Sequence, residues 1–378
     1  MLFYLAIFFI IFLLTLVEEY SPVQKRHYYS IMMLIILTFI AGFRIIGGYD
    51  IYNYQAIYER TPLLGDFIKN FTILAEYYQL PYGNGYLFYI SFIKTFLGLS
   101  FYGYLLLQSI IFYALLYKGL RKYTNHWGIF MLLFLYKLFF YETFVSMRQP
   151  LTIVMFYMIM HFIQEKKALK YYLILTFLIL PFHDGAIILF FVYLISFFKI
   201  SKKRIIILNC IFIPTLIFSL LGIDPLGNFS FGLNNLLDKS LLSKIDVYAN
   251  TDNSFSSWLR TTEYLLIMVL LITNYDKIEK SHKYAPLIIK LFLILLPMMT
   301  LFKDIIFFRR ETSYFVPSYA FILGYICNIY INRKFFIITV FAILCLYGFL
   351  RFAYSWPPGA LLPYKSWLNI PNASLFRN

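Results

Sequence analysis

Glu142-Thr-Phe-Val-Ser-Met-Arg-Gln-Pro150 and Phe182-His-Asp-Gly-Ala186 bracket two apolar runs joined by the polar turn Gln164-Glu-Lys-Lys-Ala-Leu-Lys170. The stretch predicts two membrane helices with Arg148 at one outer end and His183 at the other. Lysine-rich short loops favour the cytoplasmic side, so both residues are expected toward the opposite side. A helix rises about 1.5 Å per residue, which puts Arg148 roughly 24 Å from Gln164 and His183 roughly 20 Å from Lys170. The hydrocarbon core is about 30 Å thick, so both side chains are expected at similar depth in its outer half. An arginine there is costly unless it meets a wet cavity or a fixed anion. A vestibule open to the outside follows as the expectation.

Working outward, the 378 residues are 61% hydrophobic and 13% charged, with a mean hydropathy of +0.73. Repeated apolar runs predict an all-α, polytopic integral membrane protein of about twelve transmembrane helices, plus a re-entrant or interfacial segment. No separable soluble domain is apparent, so residues 1–378 read as one membrane domain. The net charge of +15 does not point to nucleic acid, because the lysines gather in short loops between apolar runs. Cys210, Cys327 and Cys345 each lie inside an apolar run, with neither a CxxC motif nor a His/Cys cluster. Neither a disulfide framework nor a metal site is indicated. The run Leu2–Val17 lacks a basic leader and ends in Glu18-Glu19, which reads as a retained helix.

Lys25 and Arg26, then Lys118, Arg121 and Lys122, then 164–170, 199–204, 277–283 and Arg333-Lys334 are expected inside. Two long outer loops follow, at about 44–85 and 222–258. The count between Gly85 and Lys118 must be odd. Tyr86–Leu97 is too short to span and is read as a half-helix, Gly98 breaks it, and Leu99–Lys118 crosses.

With this topology the inner loops carry mostly lysine, whereas Arg44, Arg60, Arg148, Arg260, Arg309, Arg310, Arg351 and Arg377 fall outside. Arginine is preferred where a planar fork must hold phosphate or carboxylate. The outer face is therefore expected to bind an anion, with Arg44, Arg148, Gln149, Arg260, Arg309 and Arg310 as binding candidates. Pro150 suits the first turn of a helix, which would add free N–H groups and a favourable dipole beside Arg148. A kink with a snorkelling arginine is the plain alternative. In Arg44-Ile-Ile-Gly-Gly-Tyr-Asp50 the glycines permit a tight exit turn. His183-Asp184-Gly185 reads as a turn in which Asp184 could cap the next helix. Arg309-Arg310-Glu311 keeps one positive charge in surplus. There is no Ser-His-Asp pattern, GxSxG elbow or Walker loop.

The chain resembles the EpsG-type and Wzy-type polymerases of bacterial exopolysaccharide and O-antigen synthesis. The resemblance rests on Arg44 with Gly48-Tyr49-Asp50, on Arg148-Gln149, on Phe182-His183 before Ala186, and on Arg309-Arg310. Asp184-Gly185 departs from the family's pattern, where a small or hydroxyl residue is commoner before the alanine. The resemblance implies an enzyme of the cell membrane. It would join oligosaccharide repeat units carried on undecaprenyl diphosphate, at the outer face and without a cofactor, alongside a flippase and a chain-length regulator. Departure of a diphosphate calls for positive charge, which arginines supply without a metal. A base near the acceptor hydroxyl would assist, and His183, Asp50 and Glu311 all qualify. A flippase for the same lipid should show two similar halves, and the sequence has no internal repeat. A membrane acyltransferase should place its histidine near an inner basic site. A ligase using the same lipid donor is the nearest enzymatic neighbour.

Overall fold

The computed structural model describes residues 1–45, 47–48, 50–69, 83–220, 254–302, 306–357, 359–370 and 374–376. Most of the expected outer loop 222–258, residues 70–82 of the expected outer loop 44–85, and Lys239 and Arg377 lie outside them. The described residues are helical, with no strand and two isolated bridges. Among the described residues four helices are long and apolar enough to cross a bilayer: Leu2–Tyr20, Phe101–Tyr123, Trp127–Val145 and Ile331–Tyr354. Shorter apolar helices include Ala168–Ile179, Asp184–Phe197, Thr262–Thr273 and Ala285–Met299. The all-α membrane architecture is therefore present, while the helices long enough to span among the described residues do not confirm the expected twelve. Several of the expected spans change winding part-way. Ala168–Ile174 passes into the π-helical turns Leu175–Ile179, and Asp184–Ile187 is 3₁₀ before the α-turn Ile188–Val192. Pro297 interrupts the hydrogen-bond ladder near the end of Ala285–Met299.

The chain divides into two compact units, residues 1–193 with 331–378, and residues 194–330. In the second unit Val316–Ile329 packs against Ser254–Thr273 and Ala285–Met299, and Lys202–Leu220 packs on the latter. In the first unit Leu2–Tyr20 lies against Arg26–Gly42 and Trp127–Phe134. Arg26–Gly42 lies against Phe101–Leu120, which in turn packs on Gln149–Ile159.

Four of the loops expected inside meet at one end of the first unit. Arg26 donates to the Asn125 carbonyl at 3.2 Å. Lys122 donates to the Met158 carbonyl at 2.9 Å and lies 3.1 Å from His161 Nδ1. Lys334 reaches the Glu19 carboxylate at 2.6 Å, and His126 Nδ1 reaches it at 2.8 Å. Glu18 accepts from Ser30 at 3.1 Å and from the Gly128 N–H at 2.6 Å. Buried carboxylates survive only when paired and hydrogen-bonded in this way. Glu18-Glu19 thus ends the first helix by tying it to three others.

The opposite end is laced by the C-terminal tail. The Ile45 N–H donates to the Lys365 carbonyl at 3.0 Å, and Trp367 N–H donates to the Phe43 carbonyl at 3.0 Å. The Ser100 N–H donates to the Leu375 carbonyl at 2.9 Å. Between these points run two helices, of which only the second matches an expectation, the half-helix over Tyr86–Leu97. Asp50–Arg60 is one helix, and Asn84–Leu97 is a second that stops at Gly98 in the left-handed conformation, φ +56°. Gly98 and Ser100 then open Phe101–Leu120, whose Ser100 hydroxyl caps the Gly103 N–H at 3.2 Å.

Candidate functional site

The quoted stretch begins in unusual backbone. Trp127–Phe134 is α-helical, but Leu135–Val145 winds as a π-helix, a form often found where a helix serves a site. It ends at Ser146, and a new helix opens at Gln149 with Arg148 as its N-cap and Pro150 in its first turn. The proline therefore marks a helix start rather than a kink. Proline is tolerated there because its missing N–H would have had no partner. Arg148 is half-buried, and Gln149 is fully buried. Gln149–Ile159 runs to the lysine-rich end, so Arg148 stands at the end away from the lysine loops.

Arg44 comes to the same segment from another element. It is 2% exposed. Its guanidinium donates to the Ala41 carbonyl, closing the C-terminus of Arg26–Gly42, and its Cζ lies 5.2 Å over the Phe144 ring. Burial lowers its pKa to about 10, which leaves it cationic at neutral pH. Arg44, Gln108, Tyr113, Glu142, Thr143, Ser146, Met147 and Pro150 line a cavity of about 20 Å³, the size of one water molecule. A diphosphate does not fit there.

The glycines of Arg44–Asp50 have a steric reason. A Cβ on Gly47 would stand 2.2 Å from the Phe144 carbonyl oxygen, and one on Gly48 would stand 2.9 Å from the Trp356 ring. Gly48 also has φ +69°, a conformation that favours glycine. The turn thus lies directly on the end of the π-helix, and Asp50 opens the next helix from that point. Gly47→Ala should destabilise the protein by roughly 1–3 kcal/mol, since the Phe144 backbone would have to move. A lowered melting temperature of the purified protein checks this, and an unchanged one removes the close approach.

His183 is 8% exposed and takes an extended backbone, φ −154° and ψ 119°, as the N-cap of Asp184–Ile187. Asp184 follows it in the first turn and is exposed, so the cap position belongs to the histidine. Gly85 N–H donates to the Pro181 carbonyl at 3.0 Å, which docks this turn on the start of Asn84–Leu97. Phe182 packs against the rings of Tyr86 and Tyr89, with centroids at 6.4 and 5.9 Å. Tyr86 and Tyr104 share a hydrogen bond of 2.8 Å between their hydroxyls. Phe182 packs on the same core cluster that holds Met147, Tyr54, Tyr86 and Tyr104. The immediate neighbours of Arg148 and of His183 therefore pack into one cluster. The first unit brings Arg44, Asp50, Arg148, Gln149 and His183 to one end.

Glu311 and Arg310 belong to the second unit, where Ile306–Glu311 is a short helix. Arg310 is exposed and Glu311 is 3% exposed. The side chains of Arg260 and Arg309 lie outside the described residues.

The sequence model of the EpsG family matches residues 27–366, most of the chain. The chain belongs to the EpsG family. This is the EpsG/Wzy-type family of polysaccharide polymerases, and membership gives this protein a polymerase-type role in polysaccharide synthesis. No curated protein and no solved structure matches it.

Three side chains of this EpsG-family protein escaped the sequence reading. Glu142 carries no sequence signal beyond opening the stretch, yet it is 2% exposed and faces the Arg44 cavity. Gln108 donates to the Met147 carbonyl at 2.8 Å and so fixes the residue before Arg148. A glutamine inside the apolar run Phe101–Leu120 was the available signal. Lys94 is 4% exposed and donates to the Tyr58, Glu59 and Thr61 carbonyls, where it caps Asp50–Arg60.

Proposed function

We propose that this protein polymerises oligosaccharide repeat units carried on undecaprenyl diphosphate, at the outer face of the cell membrane. Family membership supports the polymerase reading. The observation that carries the finer reading is the packing of Met147, which precedes Arg148, and of Phe182, which precedes His183, on one hydrophobic cluster, at the end away from the lysine loops. Positive-inside bias makes the lysine end cytoplasmic and so makes the other end external.

In this reading Arg148 holds the diphosphate of the growing chain. The N–H groups at the start of Gln149–Ile159 and its dipole assist it. Arg44 and Gln108 lie beneath and fix the segment that carries Arg148. The anomeric C–O bond to the diphosphate breaks as a sugar hydroxyl of the next unit attacks. Positive charge on the leaving oxygens lowers that barrier. His183 takes the acceptor proton, with Asp50 as the alternative base in the same unit.

Deletion of the gene tests the reading. Gel analysis of surface polysaccharide should show single repeat units in place of long chains. Loss of all surface sugar would instead favour a flippase. The topology has its own test. Cysteines placed at Lys122, Lys167 and Lys203 should resist an impermeant thiol reagent in intact cells, while those at Asp50, Asp184 and Lys239 should react. Labelling at position 203 from outside would overturn the orientation.

A further inference from the structure

We propose that Trp356 is a sugar-binding platform beside the Arg148 segment, for a pyranose ring of the saccharide chain; this rests on the polymerase reading above. The chain leaves the helix Lys334–Tyr354 through Ser355, and Trp356 follows at once. Its indole lies over Gly48, and the Cβ that position 48 lacks would sit 2.9 Å from Cζ3 and 3.4 Å from Cη2. The same point lies 3.3 Å from Val145 Cγ2. Trp356 therefore stands beside the last residue of the π-helix, three residues before Arg148.

The indole is pinned. Phe352 supports it with a centroid distance of 6.3 Å. The Gly48 N–H donates to the Ala360 carbonyl at 3.1 Å, and the Ala360 N–H donates to the Pro357 carbonyl at 3.1 Å. These bonds hold the turn on both sides of the ring. Trp356 nonetheless remains half-exposed, and its indole N–H has no acceptor among the described residues. The other tryptophans whose side chains are described differ in exposure or in partner. Trp127 is fully buried, and Trp367 donates to the Gly42 carbonyl at 2.9 Å.

An interface anchor needs an exposed aromatic ring but no fixed orientation. Tyr52 and Tyr354, 67% and 66% exposed, already meet that need at this end. A half-exposed indole held against Gly48 and Phe352, with a donor that has no acceptor among the described residues, fits a sugar better. The face receives the axial C–H groups of a pyranose, and the N–H donates to a ring hydroxyl. The sugars of a lipid-linked chain follow directly on its diphosphate. A platform next to the diphosphate-binding segment would therefore meet the first sugars of that chain.

The test uses the full-length, detergent-purified protein and two probes. One is a set of end-labelled oligosaccharide fragments from partial hydrolysis of the producing organism's own polysaccharide. The other is undecaprenyl diphosphate without sugar. Trp356→Ala should weaken fragment binding about tenfold and leave undecaprenyl diphosphate binding unchanged. Trp356→Leu, which still fills the space over Gly48, should show the same selective loss. Wild-type fragment affinity in either variant, or no fragment binding by the wild type, overturns the platform. Equal loss of both probes in Trp356→Leu also overturns it, because the ring would then only support the fold. Chain extension by the wild type is assayed separately. Fragment binding through Trp356 without chain extension would sink the polymerase reading and leave the platform standing.

Discussion

Replacing Arg148 by lysine should shorten the polysaccharide while the protein stays at its normal level. Arg148 is half-buried at the N-cap of Gln149–Ile159, and its position is fixed from below by the bond from Gln108 to the Met147 carbonyl. Lysine keeps the charge but loses the planar fork that meets two phosphate oxygens at once. Loss of one charge-assisted hydrogen bond should weaken donor binding about 10- to 100-fold. Protein abundance is the control, because a merely structural arginine would lower it together with polymer length. Polymer of wild-type length at normal abundance would return Arg148 to a snorkelling role.

The second large effect is expected at His183. Removing the imidazole by His183→Ala should spare binding of the lipid-linked donor and slow transfer by roughly 10²–10⁴-fold, because general-base help is realised in the transition state. The local structure supports a fixed ring. The backbone is extended, the preceding Phe182 is held on Tyr86 and Tyr89, and the side chain is 8% exposed. Donor binding and single-turnover transfer by the purified variant separate the roles. If donor binding falls as far as it does in Arg148→Ala, His183 belongs to the diphosphate site. If neither quantity changes, the base is to be sought at Asp50.

Much of this arrangement is readable from sequence because the bilayer imposes simple rules. Lys25, Lys122, Lys167 and Lys334 mark loops, and contacts such as Arg26 with Asn125 and Lys122 with His161 show four of those loops at one end. Pro150 marked a helix start, and Gly98 marked the break between a half-helix and Phe101–Leu120. Local chemistry decides each of these, so a single residue betrays it.

What stayed hidden depends on which distant segments meet. Arg44 reads as one more external arginine, yet it is folded under Phe144 beside a water-sized cavity. The π-helical winding of Leu135–Val145 leaves no pattern in an apolar run where nearly every face is buried. Tyr54, Tyr86 and Tyr104 are three of 35 tyrosines, and only the fold shows that they form one cluster with Met147, on which Phe182 packs. Gly47 and Gly48 look like turn residues, and their steric partners Phe144 and Trp356 lie far along the chain.

The most direct measurement places the purified protein in lipid vesicles with undecaprenyl-diphosphate-linked repeat units from the producing organism, and follows labelled sugar by gel. The account predicts a ladder of products longer by whole repeat units. It also predicts that the ladder shortens with Arg148→Lys and slows with His183→Ala. Movement of intact single repeat units across the vesicle membrane, with no ladder from the wild type, would contradict it.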